Sequence, residues 1–335
     1  MRAVRLHGIG KLQFEQVEMA GDLPPDEVRI RVLAAGVCGS DLHNYRTGQW
    51  MGRVPIIPGH EIAGEILELG ADVSGLCVGE LVVADSRANC GQCASCLAGR
   101  PNVCERMGYL GEVRDGGFAE LLCLPASRVL RVPPGVDAEV AALAEPLGVA
   151  LRVIRRLDPP RSTPILIIGA GPIGGLAAML LQHLGFGPLL ILDRNPQRTR
   201  LLASVAAVQV VDADAAELQR RLAPARLRFA IEATGSQAML SWAVSVLAGG
   251  GRLAMVGLFN GEQRVDVNAV VERELDLRGC SVFCDEQREA LALLPSLAPK
   301  LRRVISPPLR LEELPDEYER LIAGKSASLK SIVRP

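Results

Sequence analysis

Residues 165–174 read Ile-Leu-Ile-Ile-Gly-Ala-Gly-Pro-Ile-Gly, a run of four apolar residues followed by a GxGxxG pattern. A short, uniformly apolar run favours a strand buried on both faces of a parallel sheet. Gly169 would permit the tight turn after that strand, Gly171 a close approach of ligand to backbone, and Gly174 close packing of the next helix. The free N–H groups at the start of that helix would bind phosphate. The segment therefore predicts a strand, a turn and a helix that together bind a pyrophosphate.

A second predicted strand ends in Asp193, 19 positions after Gly174. This is close to the spacing of about 20 expected between a glycine turn and an acid that contacts the ribose. The carboxylate of Asp193 would accept hydrogen bonds from ribose hydroxyls and repel a 2′-phosphate, which favours NAD over NADP. Arg194 beside it leaves NADP open as an alternative. Pro172 and Ile173 lie inside the turn, and we expect both next to the cofactor.

Outward from this turn, short apolar strands alternate with helical stretches up to about residue 256. That alternation predicts a parallel, doubly wound sheet. Thr234 follows the predicted strand at 229–232, and Gly257 follows the one at 253–256. Small residues at these strand ends would line the cofactor crevice. The alternative interpretation is that they are ordinary residues at a strand-to-loop boundary.

The residues before about position 145 have a different pattern, with short alternating segments separated by Gly and Pro turns, as in antiparallel β structure. A last strand is expected at 277–283, and the Pro- and Leu-rich tail after it is too short for an independent core. We therefore expect one domain formed by 1–147 together with 284–335, and a nucleotide-binding domain at 148–283.

The amino-acid composition is that of an ordinary soluble globular protein, with 37 Lys plus Arg, 38 Asp plus Glu and 49% hydrophobic residues. This near-neutral charge gives no indication of nucleic-acid binding. Residues 164–192 contain no Asp, Glu, Lys or Arg, but six glycines interrupt them, so strands and a buried helix explain them better than a membrane span. No export signal is expected at the N-terminus, and we predict a cytoplasmic protein without nucleic-acid or membrane partners.

Four of the nine cysteines lie within fifteen residues, in a stretch whose Gly and Pro content argues against a regular helix: Cys90, Cys93, Cys96 and Cys104. Cysteines without an export signal indicate reduced thiols, for which metal binding is the first interpretation. Four thiolates suit tetrahedral zinc and leave no open position for substrate, so we predict a structural zinc lobe at 88–106. An iron–sulfur cluster and redox-active pairs are the alternatives. Four other cysteines are expected to be small buried hydrophobes: Cys77, Cys123, Cys280 and Cys284.

Two further segments carry residues suited to a catalytic metal ion. Cys38-Gly-Ser-Asp-Leu-His43 follows an apolar strand, and Gly59-His60-Glu61 opens the next strand-like run. Taken singly, a Cys or a His is more often an ordinary core or surface residue. The chain has four histidines, and two of them fall in these two segments, which favours a functional interpretation.

These motifs resemble the zinc-dependent medium-chain dehydrogenases of the alcohol and polyol type, over essentially the whole chain. The GHE signature of that family corresponds to residues 59–61, and the four-cysteine lobe and the nucleotide fingerprint follow in the family's order. The resemblance implies an α/β fold with a GroES-like β-barrel catalytic domain and a Rossmann NAD-binding domain. It also implies two zinc ions per chain, one catalytic and one structural, and a homodimer or homotetramer.

The resemblance further implies the ligands of the catalytic zinc ion. Cys38, His60 and Glu61 are the expected direct ligands. Residues 144–147 read Ala-Glu-Pro-Leu and resemble the sorbitol dehydrogenase group, in which an acid replaces a second cysteine near the zinc. Glu145 is therefore expected beside the ion, bound either directly or through water.

Two residues close to Cys38 are expected to move the proton of the substrate. Ser40 resembles the family's hydroxyl that contacts the substrate oxygen, and His43 resembles the relay that passes the proton to solvent. A turn hydroxyl and a surface imidazole are the alternative interpretations. Asp41 is expected to brace the loop or a ligand. Zinc with an open position would make loss of the alcohol proton less costly, and hydride would pass to the nicotinamide.

The implied reaction is oxidation of a secondary alcohol, such as a polyol, a vicinal diol or a sugar alcohol, to a ketone with NAD+. Sorbitol dehydrogenases carry an Arg-Tyr pair where this chain has Val282 and Phe283. These two side chains cannot hydrogen-bond several hydroxyls, which favours a smaller or less polar alcohol. An L-threonine-type amino-alcohol dehydrogenase is one alternative, and a non-catalytic NAD(H)-binding sensor or interaction protein is the alternative of another class.

Overall fold

The computed structural model describes residues 1–18 and 21–335, which divide into two units. Unit 1 comprises Met1–Glu145 together with Gln287–Pro335, and unit 2 comprises Pro146–Glu286. Within the described part of the chain, no helix has the length and apolar character needed to cross a membrane.

The secondary-structure elements follow one another along the chain in three groups. The first group, in unit 1, is β1 (Arg2–Leu6), β2 (Leu12–Gln16), β3 (Glu27–Gly36), α1 (Gly39–Thr47), β4 (Glu61–Leu69), β5 (Leu81–Ala84), α2 (Ala94–Leu97), β6 (Leu121–Pro125), β7 (Val129–Arg131) and α3 (Ala138–Ala141). The second group is α4 (Ala144–Leu157), β8 (Ile165–Ile168), α5 (Pro172–His183), β9 (Leu189–Leu192), α6 (Pro196–Val205), β10 (Val208–Val210), α7 (Ala215–Leu222), β11 (Phe229–Glu232), α8 (Gln237–Val246), β12 (Arg252–Met255), α9 (Val267–Glu272) and β13 (Asp276–Gly279). The third is α10 (Glu286–Leu301), α11 (Leu314–Ile322) and β14 (Ile332–Val333).

Unit 1 is built on an antiparallel sheet of order β14-β3-β4-β5-β7, with β6 also paired to β3 and a separate β1-β2 hairpin. In the β3-β4 register Gly36 lies opposite Glu61. A Cβ atom at Gly36 would come 2.0 Å from Oε2 of Glu61, so only glycine leaves room for that carboxylate. The sheet register therefore already positions one predicted metal ligand.

The core of unit 1 draws on the C-terminal segment as well as on the sheet. Tyr318 of α11 and Phe118 are fully buried, and their rings pack edge to face with centroids 6.4 Å apart. In β14, Ile332 pairs with Gly36 at the end of β3. The chain after residue 286 therefore completes the unit that begins at the N-terminus.

Unit 2 contains a fully parallel sheet of order β10-β9-β8-β11-β12-β13. If β8 is counted as the first strand of the unit, the strand order is 3-2-1-4-5-6, which is that of dinucleotide-binding folds. The strand expected at 277–283 is shorter than predicted, because β13 ends at Gly279 and Val282 has a φ of 36°. That left-handed conformation does not fit a strand, and β-branched residues seldom adopt it.

The prediction that the four cysteines outside the motifs are buried is wrong. Cys77 is exposed, and Cys123, Cys280 and Cys284 are each partly exposed. Cys77 lies in a turn before β5, where its backbone N–H donates to the Glu80 carboxylate over 3.0 Å. The hydrophobicity of a thiol alone therefore did not determine its burial.

Candidate active site and metal centres

The structure brings Cys38, His60 and Glu61 together, with one potential ligand atom from each within 4.8 Å of the others. Cys38 lies between the end of β3 and the start of α1, in an extended conformation with φ −99° and ψ 157°. His60 and Glu61 lie at the start of β4, which pairs with β3. Strand pairing therefore places two segments that are distant in sequence side by side. Both His60 and Glu61 are buried.

The three side chains fit a zinc ion. Oε2 of Glu61 is buried and has no hydrogen-bond partner among residues 1–18 and 21–335, so this oxygen is available to a cation. A thiolate, an imidazole and a carboxylate are the donors that zinc takes in proteins. A set of three protein ligands also leaves a coordination position open, which is the arrangement of catalytic zinc sites.

Asp41 braces the loop that carries Cys38, as the sequence predicted. Its Oδ2 accepts the backbone N–H of Cys38 over 2.8 Å, and its Oδ1 lies 3.5 Å from Nδ1 of His60. Burial lowers the pKa of His60, but the negative charges of Asp41 and Cys38 outweigh it and raise that pKa well above its usual range. The surroundings of the ring therefore favour a positive charge there.

The two predicted proton-handling residues lie on α1. The Oγ atom of Ser40 is 3.4 Å from Nε2 of His60. The hydroxyl therefore lies directly beside the group of Cys38, His60 and Glu61, which we call the metal group. His43 is buried, its Nε2 is 2.8 Å from Oε1 of Gln49, and its ring centroid is 4.4 Å from that of Trp50. The alternative of a surface imidazole is therefore wrong for His43.

Lys330 lies in the candidate site and was not identified from the sequence. It is buried, and its Nζ donates to Oε1 of Glu61 and, over 3.0 Å, to the carbonyl oxygen of Val37. Burial lowers the pKa of Lys330, but the charges of Glu61, Cys38 and Glu145 together with the hydrogen bond to Glu61 outweigh it and raise that pKa. Because 269 positions separate the two partners, no local pattern could have indicated the pair.

Glu145 lies in the first turn of α4 and is buried, but it is not part of the three-ligand group. Burial raises the pKa of Glu145 to about 7, opposed by the positive charge of His60 and reinforced by the negative charge of Glu61. These charges place the carboxyl group within electrostatic range of the metal ligands.

The four clustered cysteines also come together, with all Sγ atoms within 4.8 Å of one another. The Sγ atom of Cys104 is 3.8 Å from that of Cys93 and 3.5 Å from that of Cys90. Zn–S bonds of about 2.3 Å in a tetrahedron separate the sulfurs by about 3.8 Å. The cluster therefore fits a structural zinc ion. The one-turn helix α2 (Ala94–Leu97) inside this stretch was not expected.

The glycine turn of unit 2 has the steric properties that the sequence predicted. Gly169 has a φ of 107°, and a Cβ atom at Gly174 would come 1.9 Å from the carbonyl oxygen of Gly169. A Cβ atom at Gly171 would meet no protein atom within 4 Å. Gly169 and Gly174 therefore serve the fold, whereas the open space at Gly171 is suited to a ligand. Pro172 and Ile173 form the first turn of α5.

Asp193 is tied to this turn by hydrogen bonds to backbone N–H groups. Its Oδ2 accepts from Ala170 and its Oδ1 from Asn195, both over 2.7 Å. Each carboxylate oxygen has a second lone pair with which it can accept a hydrogen bond from a ribose hydroxyl. Arg194, the next residue, is exposed.

Thr234 and Gly257 lie at the same edge of the sheet as Gly169. The Cγ2 atom of Thr234 would be 2.9 Å from a Cβ atom at Gly169, and a Cβ atom at Gly257 would lie 2.2 Å from the backbone nitrogen of Gly235. The buried carboxylate of Glu232, another residue that the sequence reasoning missed, accepts the backbone N–H and the hydroxyl of Thr234. This carboxylate holds the loop after β11.

The fold, the group of Cys38, His60 and Glu61, and the glycine turn at residues 169–174 define a metal-dependent dehydrogenase that uses a nicotinamide dinucleotide. Residues 24–134 match the alcohol dehydrogenase GroES-like domain, and residues 172–296 match the zinc-binding dehydrogenase domain. The chain belongs to the zinc-dependent medium-chain dehydrogenase family, and its cofactors are zinc and NAD(H).

Individual relatives agree with this assignment. The chain is 30% identical over 344 residues to a sorbitol dehydrogenase of Bacillus subtilis (strain 168), covering 100% of this chain and 97% of the relative. It is 30% identical over 316 residues to an L-threonine 3-dehydrogenase of Deinococcus deserti, with 91% of each chain covered. The crystal structure of 2R,3R-butanediol dehydrogenase from Bacillus subtilis superposes with a TM-score of 0.90 at 26% identity, covering 100% of this chain and 99% of that one.

Proposed function

We propose that this dehydrogenase oxidises a secondary alcohol that is a polyol, a vicinal diol or a sugar alcohol to the corresponding ketone, with NAD+ as acceptor. The observation that carries the proposal is the group of Cys38, His60 and Glu61, in which the last two residues are buried and one Glu61 oxygen has no partner among the described residues. Relatives named as sorbitol and butanediol dehydrogenases support this substrate class.

A bound zinc ion would supply the positive charge that favours loss of the alcohol proton, and bound NAD+ would accept the hydride. Cys38, His60 and Glu61 hold the ion in this proposal, and Asp41 orients the ring of His60. The Ser40 hydroxyl, 3.4 Å from Nε2 of His60, would accept the proton from the substrate oxygen while it releases its own proton to the relay. His43, hydrogen-bonded to Gln49, would pass on a proton received through the cofactor ribose towards solvent.

Glu145 would bind the ion either directly or through water. Its position outside the three-ligand group favours the water-bridged arrangement.

Asp193 makes NAD the preferred cofactor in this proposal. A 2′-phosphate next to this carboxylate would be repelled, whereas ribose hydroxyls can donate to it. Arg194 is exposed beside it and would be the partner for any residual use of NADP.

An amino-alcohol substrate of the L-threonine type is the second candidate, because L-threonine 3-dehydrogenases are among the relatives at 30% identity. We would expect Thr where Ser40 stands in such an enzyme, which favours the polyol or diol substrate. A non-catalytic NAD(H)-binding protein is disfavoured by the complete set of metal-binding side chains. We further propose a cytoplasmic homodimer or homotetramer, as the family resemblance implies.

The proposed function is tested by measuring metal content by mass spectrometry together with NAD+ reduction over a panel of polyols, vicinal diols and L-threonine. We expect two zinc ions per chain and turnover of a polyol or diol. Turnover of L-threonine alone would identify the second candidate. One zinc ion per chain and no turnover would contradict an enzymatic function.

Replacing a predicted zinc ligand tests the assignment of the catalytic site. Cys38→Ser is expected to lower kcat/KM by about a thousandfold or more, because zinc contributes several kcal/mol of charge stabilisation to the transition state. Cys77→Ser is the matched control, since Cys77 is exposed and outside both metal groups. Retention of activity by Cys38→Ser, with normal NAD+ binding in both variants, would show that the ligand assignment is wrong.

A further inference from the structure

Glu112 is a buried carboxylate that the proposed mechanism does not use. The residue is 8% exposed, and its one described side-chain hydrogen bond, from Nδ2 of Asn44 to Oε1, is long at 3.4 Å. In the described parts of the chain, no lysine or arginine forms an ion pair with it. Buried carboxylates are usually paired with a cation or well hydrogen-bonded, so Glu112 retains the capacity to accept further hydrogen bonds.

Helix α1 links Glu112 to the metal group. Ser40 and Asn44 are four positions apart on this helix and so lie on the same face, about one turn of roughly 5.4 Å from each other. Ser40 contacts Nε2 of His60, and Asn44 contacts Glu112. Glu112 and His60 therefore contact side chains that lie one helical turn apart on α1. Burial raises the pKa of Glu112 to about 7, while the charge of His60 opposes the rise, which agrees with this proximity.

The backbone, and not the carboxyl group, holds this part of the loop in place. The carbonyl oxygen of Glu112 accepts the N–H of Gly52 over 2.9 Å, and the N–H of Glu112 donates to the carbonyl oxygen of Tyr109 over 3.1 Å. Asn44 is fixed separately, because its Oδ1 accepts the N–H of Trp50 over 3.0 Å. Backbone hydrogen bonds therefore hold the loop, and the Glu112 carboxyl group contributes none of them.

We infer that Glu112 is a specificity-determining residue that accepts a hydrogen bond from a second donor group of the substrate, a hydroxyl or an ammonium, beyond the reacting alcohol. The inference rests on the proposed function, because it places the substrate at the metal group. A site built to bind a second donor discriminates strongly against analogues that lack it, since the buried acceptor is then left unpaired. A neighbouring hydroxyl and a neighbouring ammonium provide the same donor chemistry and are distinguished by experiment.

The test compares three substrates of equal carbon number: 2-butanol, 2,3-butanediol and 3-amino-2-butanol. For the zinc-loaded enzyme, we expect kcat/KM for at least one two-donor substrate to exceed that for 2-butanol by about tenfold or more. Glu112→Leu should reduce this preference by about tenfold, by lowering kcat/KM for the two-donor substrate and by raising it for 2-butanol, which no longer leaves a buried acceptor unpaired. Glu112→Gln should affect the amino alcohol more than the diol if the natural donor is an ammonium, because an amide carries no charge.

Glu27→Gln provides a matched control, because Glu27 is also 8% exposed in unit 1 but is paired with Arg114 over 2.8 Å. It should leave the preference unchanged. Titration calorimetry of the same three alcohols into the NADH-bound protein gives a readout that needs no turnover. A two-donor preference in affinity that disappears in Glu112→Leu supports the inference even if the proposed reaction fails. Equal preferences in wild type and both Glu112 variants, by kinetics and by affinity, would overturn it while leaving the proposed function intact.

Discussion

At the scale of single residues, the buried pair of Lys330 and Glu61 determines how charge is balanced next to the metal group. Glu61 has one oxygen bonded to Lys330 and the other without a described partner. The first interaction fixes the carboxylate, and the second oxygen remains available to a cation. Removal of the lysine would leave a buried charge without compensation, which is one of the costliest changes in a protein interior.

Lys330→Met is therefore expected to lower the free energy of unfolding by about 3 kcal/mol, measured by urea denaturation at equal zinc content. Lys325→Met, at an exposed position, should change it by less than about 0.5 kcal/mol. The pKa of Lys330 is raised above its unfolded value of 10.5, so its contribution is complete below that pH and is lost only at higher pH. The difference from wild type should thus still be present at about pH 9. Its loss by that pH would contradict the assignment.

Some site residues could be predicted from the sequence and others could not. The two sets differ in the sequence separation between each residue and its contacts. Asp193 could be predicted because a local spacing rule connects it to the glycine turn. Glu112 and Lys330 gain their importance only from burial next to residues 68 and 269 positions away. Nothing in the segments around them distinguishes them from ordinary surface charges. Val282 was noted for its chemistry, but its φ of 36° could not be foreseen, because β-branched residues favour extended backbone.

At the scale of elements, the glycine turn between β8 and α5 separates residues needed for folding from residues needed for binding. A side chain at Gly174 would collide with the carbonyl oxygen of Gly169, whereas a side chain at Gly171 would enter space free of protein atoms. The sequence pattern predicted both roles. The structure adds that a Gly→Ala substitution at position 171 tests the role in binding, and the same substitution at position 174 tests the role in folding.

Gly171→Ala is expected to leave the melting temperature within about 2 °C of wild type and to weaken NADH binding by about tenfold or more, because the added methyl group occupies the approach of the pyrophosphate. Gly174→Ala should lower the melting temperature by several degrees, because the methyl group would lie 1.9 Å from a carbonyl oxygen. Differential scanning calorimetry and NADH fluorescence titration measure the two effects. Equal loss of stability in both variants would contradict this division of roles.

At the scale of the whole molecule, light scattering should give a mass of two or four times the 35.7 kDa of the chain. In unit 2, α9 exposes Val267 and Val271 at 65% and 69%, and β13 is the last strand of the sheet order. Exposed apolar side chains beside a sheet edge favour association with a second copy. Val271→Lys should shift the protein towards smaller species. A monomer mass for the wild type at working concentration would contradict the proposed assembly.

The return of the chain to unit 1 after residue 286 has a consequence for biosynthesis. Unit 2 is encoded in one continuous stretch and can fold on the ribosome as soon as it has emerged. Unit 1 lacks α11, β14 and Lys330 until translation has passed them, although Cys38, His60 and Glu61 are made early. Because β14 pairs with β3 and Lys330 donates to Glu61, the surroundings of Cys38, His60 and Glu61 are complete only after residues 330–333 have been synthesised.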